Sequence, residues 1–346
     1  MSDDIHIRIT GNAGRITLTR PDALNAMTYD MCLAIGEALE RWRNDQNVKL
    51  VVIDAEGSKS FCAGGDIAEL YRTGRAGDYE YGRKFWRDEY RINAKIKRYP
   101  KPYVALMDGI VMGGGVGISA HGSHRIVTKN TMFAMPECGI GLVPDVGGNW
   151  LLSRAPGLSG EYLATTGARL GAADCIHAGI ADTYIPDDSL GELVKRLETD
   201  GDLSAITELA EMAPDGELAA NQDKIDTYFR SGDMAAIVAK LEASDGEWEK
   251  SAAKLVRRNC PLSVACAAEI VKRSRNAATI EEVLALEYRF TWRSMETGDF
   301  LEGIRAQIID KDRSPNWNPA RLEAIDKPAV EAMLAPLGKY ELDFPS

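Results

Sequence analysis

Three stretches of this chain combine glycine with groups that can do chemistry: Phe61-Cys-Ala-Gly-Gly-Asp-Ile67, Met112-Gly-Gly-Gly-Val-Gly-Ile-Ser119 and Met135-Pro-Glu-Cys-Gly-Ile-Gly-Leu-Val-Pro-Asp-Val-Gly-Gly148. The first two read as sources of bare backbone N–H groups, and the third supplies Glu137 and Asp145, eight residues apart. Acyl-thioester chemistry needs this combination: donors for a developing oxyanion, and a carboxylate to drive the reaction. One donor is expected from the Phe61–Gly65 loop and the other from Gly113–Gly115 at a helix start. Each glycine loop taken alone would also serve as a tight turn.

Pro136 and Pro144 precede the two acids, which places Glu137 and Asp145 on loops rather than along a helix. A carboxylate held over an apolar acyl pocket has a raised pKa and can act as base, acid or nucleophile, and Ile140, Leu142 and Val143 lie between the two. Other chemistries find less support. The four histidines, His6, His121, His124 and His177, form no evident triad, and Ser119 lacks the Gly-x-Ser-x-Gly elbow. His121 and His124 are expected on a helix and its exit. No His, Cys, Asp or Glu set has metal-ligand spacing, so no metal is expected. Gly113–Gly117 is not a dinucleotide fingerprint.

The elements that position these loops follow from periodicity. Ile5, Ile7 and Ile9, a Gly11–Gly14 turn, then Ile16 and Leu18 predict two antiparallel strands with one buried face. Met27, Met31, Ile35, Leu39 and Trp42 form one helical stripe, with Thr28 as N-cap. Strands are predicted at 48–54, 102–107 and near 125–128, with helices between them, and the first two glycine stretches are expected just after two of these strands. After about residue 190 the pattern reads as helix joined to helix, broken by Gly-Asp or Asp-Gly at 201–202, 232–233 and 245–246. A helical stripe runs through Val283, Leu286, Phe290 and Met295, then Phe300, Ile304 and Ile308. The expectation is an α/β core over residues 1–190, carrying the donors and acids, and a mostly helical region over 191–346.

The 346 residues carry a formal net charge of −11, which argues against a broad nucleic-acid surface. Six cysteines without a CxxC pair read as free thiols in a reducing compartment. The opening Met1–His6 has no signal or transit pattern, and no apolar run reaches the length of a membrane span. A cytoplasmic protein without a membrane partner is expected.

The order Phe61-Cys-Ala-Gly-Gly-Asp-Ile, Gly113-Gly-Gly, Pro136-Glu and Gly147-Gly148 resembles the crotonase superfamily of acyl-CoA enzymes. The resemblance implies a spiral of ββα units, an acyl-CoA substrate and no separate cofactor. It also implies an oxyanion site from the amides of Cys62 and Gly114, with Gly65, Asp66 and Ile67 near the substrate. Arg20–Asn25 resembles the early family segment near CoA, and Glu89 matches a substrate-contacting glutamate that could equally be a solvated helix acid. Lys59, Arg72 and Lys311 are candidates for the CoA phosphates. Family hydratases carry a first glutamate three residues after the oxyanion glycine, where this chain has Gly117. The pattern is instead similar to the family's 3-hydroxyacyl-CoA thioester hydrolases, through Glu287-Tyr-Arg and Asp299–Ala306 to Trp317. That implies Glu137 as nucleophile or as activator of water, and Asp145 as holder of the 3-hydroxyl. A hydratase or isomerase, or a relative that only binds RNA or acyl-CoA, is the alternative. Oligomers are common in the family, so a homo-oligomer is possible on this basis.

Overall fold

The computed structural model describes residues 3–344. Its strands are β1 (Ile5–Thr10), β2 (Ala13–Leu18), β3 (Leu50–Ala55), β4 (Ser60–Cys62), β5 (Tyr103–Met107), β6 (Ile110–Met112), β7 (His124–Val127), β8 (Met132–Ala134) and β9 (Thr183–Tyr184). They form a six-stranded sheet in the order β1-β2-β3-β5-β7-β9 and a three-stranded sheet in the order β4-β6-β8. Among the strand pairs of the described residues, β1–β2 is antiparallel and the rest are parallel. The pairs β3–β4, β5–β6 and β7–β8 each send their first strand to the larger sheet and their second to the smaller one. This repetition is the ββα spiral that the family resemblance implies.

The long strands were legible because parallel strands covered on both faces read as continuous apolar runs, as in Leu50–Ile53 and Tyr103–Met107. The Tyr29–Arg43 helix also forms as expected, with the Thr28 hydroxyl accepting from Met31 N at 3.2 Å. Two expectations need correction. All six residues of β2 are buried, where one buried face was expected. Trp42 occupies the space a side chain at Gly14 would need, while Ala13 packs in a core with Leu193 and Leu197. The glycine stretches also do not follow the predicted long strands. They leave the short strands β4 and β6, whose three residues each are too few to show a period.

Contacts divide the chain into two compact units that cut across sequence order. The first comprises residues 1–66, 88–134 and 169–219, and holds both sheets. The second comprises residues 67–87, 135–168 and 220–346, and has no strand among its described residues. Among the described residues no strand follows β9, and the Gly-Asp breaks fall between helices as expected. Asp233, for example, caps the Met234–Glu242 helix by accepting from Ala236 N. The stripe through Val283–Met295 forms the buried side of the Ile280–Thr297 helix. Ile308 departs from it: it lies in a widened π turn, Arg305–Ile309, and is 42% exposed.

Candidate active site

In the sheet-bearing unit, the loop after β4 runs beside the Leu24–Met27 segment. Ala63 N donates to Leu24 O at 3.1 Å, Met27 N to Gly64 O at 2.8 Å, and Asp66 N to Met27 O at 2.8 Å. Buried Asn25 holds this segment: its Nδ2 donates to Glu56 O and Ser60 O, and its Oδ1 accepts from Arg20 N. Successive amides of an extended segment point to opposite sides. Because Gly64 O and Asp66 N both turn towards Met27, the Gly65 N–H points the other way. Gly114 stands on that side: a Cβ built on it would lie 3.4 Å from Gly65 N. The same Cβ would meet Glu89 Oε1 at 2.9 Å and Met27 Cε at 3.0 Å, so a side chain at 114 would displace the ends of Glu89 and Met27. Gly113, at φ +49°, turns the chain into the Gly114–Ser119 helix. As the first residue of that helix, Gly114 has no i−4 carbonyl for its N–H.

This geometry corrects one expected donor. Cys62 turns its carbonyl and Cβ against Gly115, and its thiol lies 3.5 Å from Gly64 O. Burial pushes that thiol up to about 12, so it is no nucleophile at neutral pH. Gly65, expected only as a substrate contact, is the residue beside Gly114. Gly64, at φ +117°, bends the chain between Cys62 and Gly65. Asp66 is half-buried and paired with Arg20 at 3.2 Å, and Ile67 precedes the Ala68–Arg75 helix. Glu89 is 4% exposed, which removes the solvated-acid alternative. Gly117 lies buried within the Gly114–Ser119 helix, whose residues include no carboxylate. The phosphate candidates Lys59, Arg72 and Lys311 are all exposed, and Arg72 pairs with Glu69. His121 is buried just past the helix, whereas His124 begins β7.

The helical unit carries the acids. Glu137 opens the tight turn Glu137–Ile140, which Gly141 ends at φ +74°. Cys260 N donates to Cys138 O at 2.8 Å and pins that turn from a distant part of the chain. Glu137 is 5% exposed, and its Oε2 is buried without a hydrogen-bond partner among the described residues. Burial, and then the charge of Asp145, hold its carboxyl well above the usual carboxylate range, with Glu287 adding in the same direction. Asp145 is also 5% exposed and sits in the turn between Pro144 and Asn149. Both acids are therefore interior groups.

The sequence pattern singled out no role for Glu287, yet in this unit it is fully buried and held by three hydrogen bonds. From the Ile280–Thr297 helix its carboxylate accepts from Gly147 N at 2.8 Å, Asn149 N at 3.0 Å and Asn149 Nδ2 at 2.9 Å. Burial pushes it up to about 8 against these donors. One signal was present: a glutamate at the centre of a helical stripe otherwise made of Val283, Leu286 and Phe290. Among the described residues, no three His, Cys, Asp or Glu side chains stand together as a metal-holding group.

Residues 13–334 match the family described as enoyl-CoA hydratase/isomerase. The mitochondrial 3-hydroxyisobutyryl-CoA hydrolase of Gallus gallus is 38% identical over 98% of this chain and 90% of its own length. The solved structure of an enoyl-CoA hydratase from Rhodobacter sphaeroides 2.4.1 is 51% identical, with a TM-score of 0.96 over 99% of this chain and 100% of that one. A carnitinyl-CoA dehydratase structure from Mycobacterium thermoresistibile is 42% identical, with a TM-score of 0.95 over 99% of both chains.

Proposed function

The chain belongs to the enoyl-CoA hydratase/isomerase family, and we propose that within it this protein cleaves thioesters, hydrolysing 3-hydroxyisobutyryl-CoA to 3-hydroxyisobutyrate and CoA, a step of valine breakdown. The observation that carries the reading is Glu137: a buried carboxyl with one oxygen that nothing in the described chain engages. Adding water across a double bond, in the family pattern, uses a second glutamate where this chain has Gly117. That favours hydrolysis over the activity named for the hydratase structure. The curated relatives' name supplies the acyl group.

In this reading the amides of Gly65 and Gly114 take the charge that develops on the thioester oxygen. Loss of one such donor costs about 2.7–4 kcal/mol of barrier. Glu137 acts in its ionised form on the carbonyl carbon. It either attacks that carbon as the CoA thiolate leaves, giving a mixed anhydride that water then hydrolyses, or takes a proton from the water that attacks it and passes that proton to the departing CoA thiolate. Asp145 accepts the 3-hydroxyl hydrogen and so favours 3-hydroxyacyl groups, and Glu89 contacts the substrate. No cofactor beyond the CoA of the substrate is proposed.

The six cysteines are all free and buried, which suits a reducing compartment. A cytoplasmic location belongs to the proposal and is tested by cell fractionation. The functional test is purified protein with 3-hydroxyisobutyryl-CoA, following free thiol. Release of CoA matched by 3-hydroxyisobutyrate is expected; intact substrate after prolonged incubation overturns the reading.

A further inference from the structure

Between Pro144 and Asn149 the backbone is held in a conformation it would not choose. Val146 has φ +52°, a left-handed conformation that a β-branched side chain disfavours, and Gly147 follows at φ +76°. Such strain persists only where the surroundings over-determine it. Here Gly148 N donates to Asp145 O at 2.6 Å, and Asn149 Nδ2 donates to Pro144 O at 2.5 Å, closing the turn around Asp145. From outside the turn Glu287 adds three more hydrogen bonds, its two oxygens gathering Gly147 N, Asn149 N and Asn149 Nδ2. A short helix start can be capped locally by Ser, Thr, Asp or Asn. A fully buried glutamate brought from 138 residues along the chain is a costly substitute. What it fixes, besides the helix start, is the residue enclosed by the turn.

We propose that Glu287 is a positioning residue for hydrolysis: it clamps the strained Pro144–Asn149 turn and thereby sets where the Asp145 carboxylate stands. This rests on the hydrolase reading, in which Asp145 holds the substrate hydroxyl. Glu287 does its positioning through Asp145, apart from the effect of its charge on Glu137.

The test uses Glu287→Gln, which keeps one acceptor oxygen but sets an amide N–H₂ against the backbone. With 3-hydroxyisobutyryl-CoA, kcat is expected to fall by roughly 10–100-fold with KM within about threefold. In an Asp145→Asn background the same substitution is expected to cost less than about threefold further, because its effect passes through Asp145. Wild-type kcat in Glu287→Gln, or losses that multiply independently of Asp145→Asn, overturns the proposal.

Where Glu287→Gln alone fails to fold, Val146→Gly/Glu287→Gln relieves the strain and decides the matter. A folded but slow double variant supports positioning, whereas recovery of the Val146→Gly rate assigns Glu287 to strain-holding alone. Amide exchange at Gly147 and Asn149 needs no substrate. It is expected to rise by about tenfold or more in Glu287→Gln, and unchanged exchange overturns the clamp itself. Absence of thiol release by the wild type would overturn the hydrolase reading, and with it the catalytic role given to the clamp.

Discussion

In the sheet-bearing unit the groups assigned to chemistry are backbone amides, placed by a strand end, a glycine turn and a helix start within short spans of sequence. In the helical unit they are carboxylates, kept interior by turns that residues more than a hundred positions away hold in place. The difference teaches how each half can fail. A backbone donor is not removed by substitution, so it is broken by adding atoms where neighbouring groups stand close. A carboxylate is broken by deletion, or by loosening what holds it.

Four substitutions sharpen that contrast, beginning with the largest expected effect. Glu137→Gln removes the acting oxygen and is expected to lower kcat for thiol release by on the order of 10³-fold or more, as loss of a catalytic nucleophile or base does. A circular dichroism melt checks that the variant stays folded. Gly114→Ala adds a methyl group 2.9 Å from Glu89 Oε1 and 3.0 Å from Met27 Cε. It is expected to lower kcat by roughly 10²–10³-fold, the scale for one lost oxyanion donor. If Gly114→Ala leaves kcat near wild type, the packing of Glu89 and Met27 against position 114 does not matter to the placing of this donor.

Asp145→Asn acts on both selectivity and pH dependence. Burial first, and Asp145 second, raise the Glu137 carboxyl. Since Glu137 works ionised, the rate rises with pH through its pKa. Removing the Asp145 charge should therefore move the acid limb of the kcat/KM profile to lower pH. The same variant should lose about tenfold on 3-hydroxyacyl substrates relative to unsubstituted acyl-CoAs. An acid limb that stays put, or moves up, contradicts the pairing of these acids.

The fourth effect falls on stability rather than on rate. Burial raises Glu287 from the usual 4.5 to about 8. Between those values the unfolded chain ionises this group before the folded one does, so wild-type stability falls as pH rises across the window. Glu287→Gln lacks this dependence. Its stability relative to wild type should improve by roughly 2–4 kcal/mol between about pH 5 and about pH 8.5, read from urea unfolding at both values. A flat difference would show that Glu287 does not titrate differently on folding.

The same contrast explains what the sequence made legible. The strands β3 and β5 and the Thr28-capped helix declare themselves through local composition and period, and Glu137 and Asp145 through the prolines beside them. The short strands β4 and β6 left no period to read, so the loops were assigned to the wrong predecessors. The first donor was placed at Cys62 because the motif names residue types, whereas the direction of an amide depends on pairing with Met27. Glu287 lay within a recognised similarity but without a role. Its function comes from three hydrogen bonds to residues that sequence distance separates from it by about 140 positions.

The central claim, that this member of the family cleaves thioesters rather than hydrating double bonds, is tested most directly by one comparison on a single enzyme preparation. It sets kcat/KM for thiol release from 3-hydroxyisobutyryl-CoA against kcat/KM for loss of the enoyl absorbance of crotonyl-CoA. The account predicts that thiol release dominates and that crotonyl-CoA is barely consumed. Rapid enoyl loss with no free thiol from either substrate would contradict it.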